Sequence, residues 1–338
     1  MIEVSHLTKR YGEKYAVRDI SFDVKDGEIL GFLGPNGAGK STTMNILTGY
    51  LSSNEGTVKI DGVDVLEQPL KAKKNIGYLP EQPPLYPDMT VDEYLTFVFG
   101  LKQCKLGREA HLAEICGLVR IQNVRGRLIR NLSKGYKQRV GIAQALIGNP
   151  DVLILDEPTV GLDPKQIIEI RTLIKHLSRK HTVILSSHIL PEVQSVCERI
   201  VIINEGRIVA DDTTANLSSQ ISTDHRLIAR IAGPENEVRD ALSELTGVRK
   251  CVSLGEHEAD SLDWQIECDA GQDIRRALFS VLSAKEWPLL ALDTGELTLE
   301  DIFLRLTTDS TVLPAKRTAA DNTAEETAPE QQGEDDNA

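Results

Sequence analysis

Nine consecutive residues, Gly34, Pro35, Asn36, Gly37, Ala38, Gly39, Lys40, Ser41 and Thr42, carry the pattern G-x-x-x-x-G-K-[ST]. The chemistry open to such a run is the holding of phosphate. Glycines let backbone N–H groups converge on an anion, and a helix beginning at the loop adds the positive end of its dipole. Lys40 reaches the β and γ phosphates, Ser41 can offer its hydroxyl to Mg²⁺, and Thr42 donates towards the α-phosphate. A second group of reactive side chains follows at the end of an apolar run, Val152-Leu153-Ile154-Leu155-Asp156-Glu157. Asp156 can hold Mg²⁺, directly or through water. Glu157, one residue on, points differently and can polarise a water for in-line attack on a γ-phosphate. The plainer reading of the pair is a solvated acidic turn, which the phosphate loop upstream makes the weaker one.

These residues need elements to position them. The apolar stretch 28–33 predicts a buried strand feeding the loop, and 41–50 the helix leaving it. Short alternating segments at 2–7, 16–24 and 57–60 predict antiparallel strands. From 90 to about 147 the apolar period becomes helical. Apolar strands are expected at 152–155, 182–186 and 200–203, with a helix at 165–177. Alternation of strand and helix implies a mostly parallel α/β sheet, with ligands at the carboxyl ends of its strands. Residues 1–215 make the first unit. Residues 225–306 read as a smaller one, with strands at 225–231, 248–254, 261–268 and 289–293 and helices at 235–245, 273–284 and 299–306. The order β-α-β-β-α-β is that of a ferredoxin-like unit. The tail, 307–338, is poor in large apolar residues and is expected to be disordered.

The 338-residue chain is 41% hydrophobic, which leaves room for about two domains. No apolar run reaches bilayer-spanning length, and the first residues lack the charged and apolar regions of a secretory leader. Five cysteines with no C-x-x-C pair suit a reducing cytoplasm and buried thiols. The net charge is −13, of which the tail supplies −6 through eight acids against two bases. That balance argues against a large nucleic-acid surface.

A phosphate loop alone serves kinases, GTPases, helicases and transport ATPases. The stretch Leu132-Ser133-Lys134-Gly135-Tyr136 narrows the choice. It resembles the LSGGQ signature of ATP-binding cassette (ABC) ATPases, with Lys134 in place of Gly and Tyr136 in place of Gln. The other family motifs are matched in order: Tyr11 before the loop, Gln82 in Pro80-Glu81-Gln82, Asp163 in Gly161-Leu162-Asp163-Pro164, and His188 after two serines. The resemblance implies a P-loop NTPase fold, with a RecA-like core, an antiparallel β subdomain and a helical subdomain at about 84–148. It implies that Tyr11 stacks on adenine with Val17 beside it, that Gln82 contacts Mg²⁺ and the attacking water, and that His188 grips the γ-phosphate. It further implies a head-to-tail dimer, in which Ser133 and Gly135 of one copy face the ATP of the other and Asp163 communicates across the interface. The partner would be a separate transmembrane permease, placing the chain at the cytoplasmic face of the membrane. By overall likeness the chain is similar to the ABC-2 exporter branch, gliding-motility ATPases included. Two alternatives stay open. A soluble cassette ATPase of translation or repair is disfavoured by the single phosphate loop and the lack of heptads. A non-hydrolysing regulatory module is disfavoured by the presence of Glu157, Gln82 and His188.

Overall fold

The computed structural model describes residues 2–221, 225–258, 260–269 and 272–294, together with Glu300, Phe303 and Thr307. Three sheets organise the chain. The central one has six strands in the order Arg207–Thr213, Arg199–Asn204, Ile29–Leu33, Thr182–Ser187, Val152–Asp156, Ile76–Leu79. All neighbours are parallel except the first pair. The inner strands are buried along nearly their whole length, as continuous runs such as ILGFL and VLILD require when both faces are covered. One core lies on each face. Phe32, Met44 and Ile154 belong to the side shared with the antiparallel sheet (Ile2–Tyr11, Lys14–Val24, Glu55–Ile60, Val63–Asp64). Leu79, Leu155 and Leu185 belong to the side shared with the helical region.

Two strands of the central sheet have no counterpart in the sequence expectations. Ile76–Leu79 is only four residues long and runs into Pro80, too short for a period of two to show. Arg207–Thr213 returns from Arg199–Asn204 through Glu205 and Gly206, both at positive φ (48° and 78°). Two positive-φ residues are what a tight hairpin turn uses, so that strand had a readable signal.

The helical region holds Val91–Leu101, Arg108–Leu118 and Lys134–Leu146. The first is started by a capping box. Glu93 N–H donates to Thr90 Oγ1 (3.2 Å), and Thr90 N–H donates to Glu93 Oε2 (2.8 Å).

Beyond residue 224 a separate core forms around Trp264, Ile266, Ile231, Leu242 and Leu278. Its four antiparallel strands lie in the order Val248–Glu258, Ser261–Cys268, His225–Ile231, Leu289–Thr294. Helices Glu235–Ser243 and Arg275–Ala284 contribute buried residues to the same core. This is the ferredoxin-like arrangement, with the first and third strands central. The helix expected at 299–306 and the tail expected to be disordered lie outside the described residues but for three positions. Of these, Phe303 packs partly buried against the core on the helical side, and the Thr307 carbonyl accepts from Asn204 Nδ2 at 3.2 Å.

Candidate nucleotide site

The carboxyl ends of Ile29–Leu33, Val152–Asp156 and Thr182–Ser187 open onto one cavity of about 610 Å³. Tyr11, Asn36, Gly37, Gly39, Lys40, Ser41, Thr42, Glu157 and His188 all line it. The loop after Ile29–Leu33 turns through Gly37 and Gly39 at φ 80° and 113° and delivers Lys40 as the first residue of helix Lys40–Leu47. A Cβ at Gly39 would stand 2.5 Å from the Ala16 carbonyl oxygen, so only glycine fits that close approach.

Lys40 is 6% exposed, and its ammonium donates to the carbonyls of Gly34 (2.8 Å) and Pro35 (3.2 Å). It also lies 3.5 Å from Glu157 Oε1. Glu157, 5% exposed, has both carboxylate oxygens 2.9 Å from His188 Nδ1. Lysine, glutamate and histidine therefore form one chain of contacts across the cavity. A buried charge is costly unless paired and hydrogen-bonded, and each of the two buried ones here supplies the other's partner. Glu157 has φ 50°, unusual for a residue with a side chain, and its N–H donates to the carbonyl and hydroxyl oxygens of Ser186 (3.2 Å each). Asp156 sits behind the cavity at 2% exposure, with the Ser186 hydroxyl donating to its Oδ1.

Behind this chain lies a buried carboxylate that sequence reading missed. Glu192, 3% exposed, accepts from the hydroxyls of Thr159 and Ser187 (the latter at 3.4 Å) and lies 3.7 Å from Arg171 Nη2. An acidic residue in the first turn of a short helix carries no signal by itself; only the fold shows that it is buried.

Not every expected residue meets the cavity. Val17 is fully buried in the core beneath the loop, while Lys14 and Ala16 line the cavity. Side chains of a strand alternate, so 14 and 16 share a face that 17 cannot. Gly34, Pro35 and Ala38 shape the loop from behind: two supply carbonyls to Lys40, and Ala38 is buried. The loop leaving Ile76–Leu79 presents Glu81 to the cavity, whereas Gln82 lines two neighbouring grooves. The amide chosen by family likeness thus stands one position from the residue that the fold aims at the site. Ser133, Gly135 and Asp163 lie apart from this cavity, beside one another. Ser133 caps Lys134–Leu146 by accepting from Tyr136 N–H (3.4 Å), and Asp163 caps Pro164–Leu177 by accepting from Gln166 N–H (2.9 Å). The two caps touch: a Cβ at Gly135 would stand 2.4 Å from Gln166 Oε1, and one at Gly161 would stand 2.0 Å from Lys134 Nζ.

No group of three or more His, Cys, Asp or Glu side chains forms a metal cage among the described residues. The oxygen donors of Ser41 and Asp156 nevertheless fit Mg²⁺, which usually takes one or two protein oxygens and fills its shell with phosphate and water.

A glycine-rich loop, a buried lysine and a strand-end carboxylate pair on a parallel sheet define a nucleotide hydrolase of the P-loop class. The comparisons carry this to a family. A family model for ABC transporters matches residues 17–160. The linearmycin resistance ATP-binding protein LnrL of Bacillus subtilis (strain 168) is 34% identical over 313 residues, 91% of this chain and 98% of that protein. The bacitracin transport ATP-binding protein BcrA of Bacillus licheniformis is 32% identical over 323 residues, covering 92% and 99%. A dimeric bacterial ABC transporter cassette superposes with a TM-score of 0.59 at 29% identity, over 63% of this chain and 98% of the other. The chain belongs to the ABC transporter family and is one of its ATP-binding, ATP-hydrolysing subunits.

Proposed function

We propose that the subunit powers an ABC-2 type exporter, the branch that also holds the gliding-motility ATPases, using Mg-ATP and acting as a head-to-tail pair beneath a membrane permease. Relatives named for linearmycin resistance, bacitracin transport and Nod factor export support the exporter reading. The observation that carries the catalytic reading is the Lys40–Glu157–His188 chain at the strand ends. Incoming phosphates give Lys40 a stronger anion than Glu157. Glu157 is thereby released to accept a proton from the attacking water, and His188, already within donor reach, turns to the γ-phosphate. Ser41 and Asp156 would hold Mg²⁺, which neutralises phosphate charge. Glu81, beside Gln82 on the same loop, lines the cavity where that chemistry takes place. Tyr11, half-exposed at 52%, offers a face for adenine.

Dimerisation gives Ser133, Gly135 and Asp163 a role. They form a polar corner away from their own cavity, and a structure of a related cassette is described as dimeric and bound to ADP and Pi. ATP closes such a pair because it binds both copies together, and the pair opens once the products leave.

The permease finds a seat in a groove of about 660 Å³ between strand Ile76–Leu79 and helix Val91–Leu101. Tyr86, Phe97 and Leu101 are exposed there. Lys73 and Lys102 line it, and no carboxylate does. Burial lowers the Lys102 pKa to about 8. Gln82 lines this groove while Glu81 lines the nucleotide cavity, so a segment pressing on one displaces the other. No helix of the described residues is long and apolar enough to cross a membrane, which leaves the pore to a partner. The test is isolation of the tagged chain from gently solubilised membranes, with a photo-crosslinker at Leu101. A stoichiometric multi-span protein joined at that position is expected. A chain recovered wholly without membrane partners sinks the transporter reading in favour of a soluble cassette.

A further inference from the structure

We infer that Glu192 is a positioning residue that sets the Glu157–His188 contact and ties it to the loop carrying Gly161 and Asp163; this rests on the catalytic reading above. Neither Glu157 nor His188 is held by its own backbone alone. Glu157 stands at φ 50°, a conformation that persists only where the surroundings over-determine it. His188 lies on the turn between strand Thr182–Ser187 and helix Leu190–Val196. Glu192 joins the two from below. One of its oxygens, Oε2, accepts from Thr159, two residues after Glu157, and from Ser187, one residue before His188. The same Ser187 hydroxyl accepts from Ile189 N–H (3.0 Å), so the histidine is bracketed on both sides. Thr159 and Ser187 are themselves buried.

The other oxygen, Oε1, faces Arg171 at 3.7 Å. Arg171 lies on helix Pro164–Leu177, whose cap is Asp163, and its Nε is buried without a hydrogen-bond partner. The carboxylate thus touches the base-bearing loop, the histidine-bearing turn and the helix that starts at Asp163. Through the Arg171 joint, its longest contact, the helix capped by Asp163 reaches Glu192, which reaches the His188 turn through Ser187. Hydrolysis demands this precision: a misplacement of about 1 Å can cost on the order of 100-fold in rate.

The test is a double-mutant cycle in the full-length chain, combining Glu192→Ala with His188→Ala and reading kcat, KM and ATP affinity separately. Glu192→Ala alone should lower kcat about tenfold or more and leave ATP affinity within about twofold. In the His188→Ala background it should add almost nothing, because there is no histidine left to place. Glu192→Gln keeps the shape and one acceptor and should recover part of the lost kcat; it also serves if the alanine variant fails to fold. Equal fold losses in both backgrounds, or affinity and kcat falling together, would overturn the proposal. Glu157→Gln runs alongside: normal turnover in that variant would overturn the catalytic reading itself, and its loss together with an additive Glu192 would overturn only the positioning role.

Discussion

The central parallel sheet with its flanking helices and the C-terminal sheet handle charge in opposite ways. In the parallel sheet Lys40, Asp156, Glu157 and Glu192 are all buried, and each finds its partners within the strand-end cluster. In the C-terminal unit Arg249 pairs with Asp269 and Arg275 with Asp273 among well-exposed side chains, and Arg230 pairs with Asp263 half-buried on the sheet. Trp264 Nε1, buried in its core, has no hydrogen-bond partner among the described residues. Parallel strands all end on the same side of a sheet, so their terminal side chains converge and can exclude water together. An antiparallel sheet divides its strand ends between two edges and gathers no such cluster. The comparison teaches that reactive charge here follows topology, while the C-terminal unit carries charged pairs at its surface.

The sharpest way to break that comparison is Glu157→Gln. If the buried chain of contacts is the reactive apparatus, the variant keeps ATP binding through Lys40 and the glycine loop. Its turnover should fall on the order of 100-fold or more, the scale seen when a single transition-state group is removed. Single-turnover hydrolysis with nucleotide affinity measured in parallel checks it, and wild-type turnover would return the cluster to a merely structural role.

A finer test separates neighbours. Glu81 lines the nucleotide cavity and Gln82 the groove beside it. Glu81→Ala should lower kcat about tenfold, less than the roughly 100-fold at which a positioned acid–base group begins to contribute. Gln82→Ala should leave hydrolysis within about twofold and weaken only coupling to whatever fills the groove. The reverse result would restore the family-likeness assignment and show that the loop turns over when nucleotide binds.

Much of this was legible in the sequence. The glycine loop, the apolar run into Asp156 and Glu157, and the β-α-β-β-α-β order each follow from periodicity and residue type, which the backbone obeys locally. What stayed hidden was orientation. Whether 16 or 17 faces the cavity depends on one residue of alternation that only the neighbouring strand settles, and whether 81 or 82 does depends on the course of the loop after Leu79. Glu192 stayed hidden because its importance is burial beside Ser187 and against Arg171 and Thr159, the last two 21 and 33 positions away. The Lys134 contact over Gly161 was hidden in the same way, since the signature pattern marks Lys134 only as a departure.

The smallest effect on turnover is expected at the far end of the chain. Trp264 is wholly buried and anchors a core that shares none of its buried residues with the two flanking the parallel sheet. Trp264→Ala should cost that unit about 3–5 kcal/mol, the range for emptying a large aromatic site. ATP turnover should stay within about twofold, because no group of the nucleotide cavity leans on Trp264. Hydrogen exchange should show the loss of protection confined to residues beyond 224, as expected of a separate cooperative unit. Trp264→Phe loses volume but removes the orphaned indole N–H, so the two changes oppose each other and the cost should fall well below that of alanine. If Trp264→Ala instead lowers hydrolysis as far as it lowers stability, the C-terminal sheet is coupled to the strand-end cluster. The division between the two regions would then have to be given up.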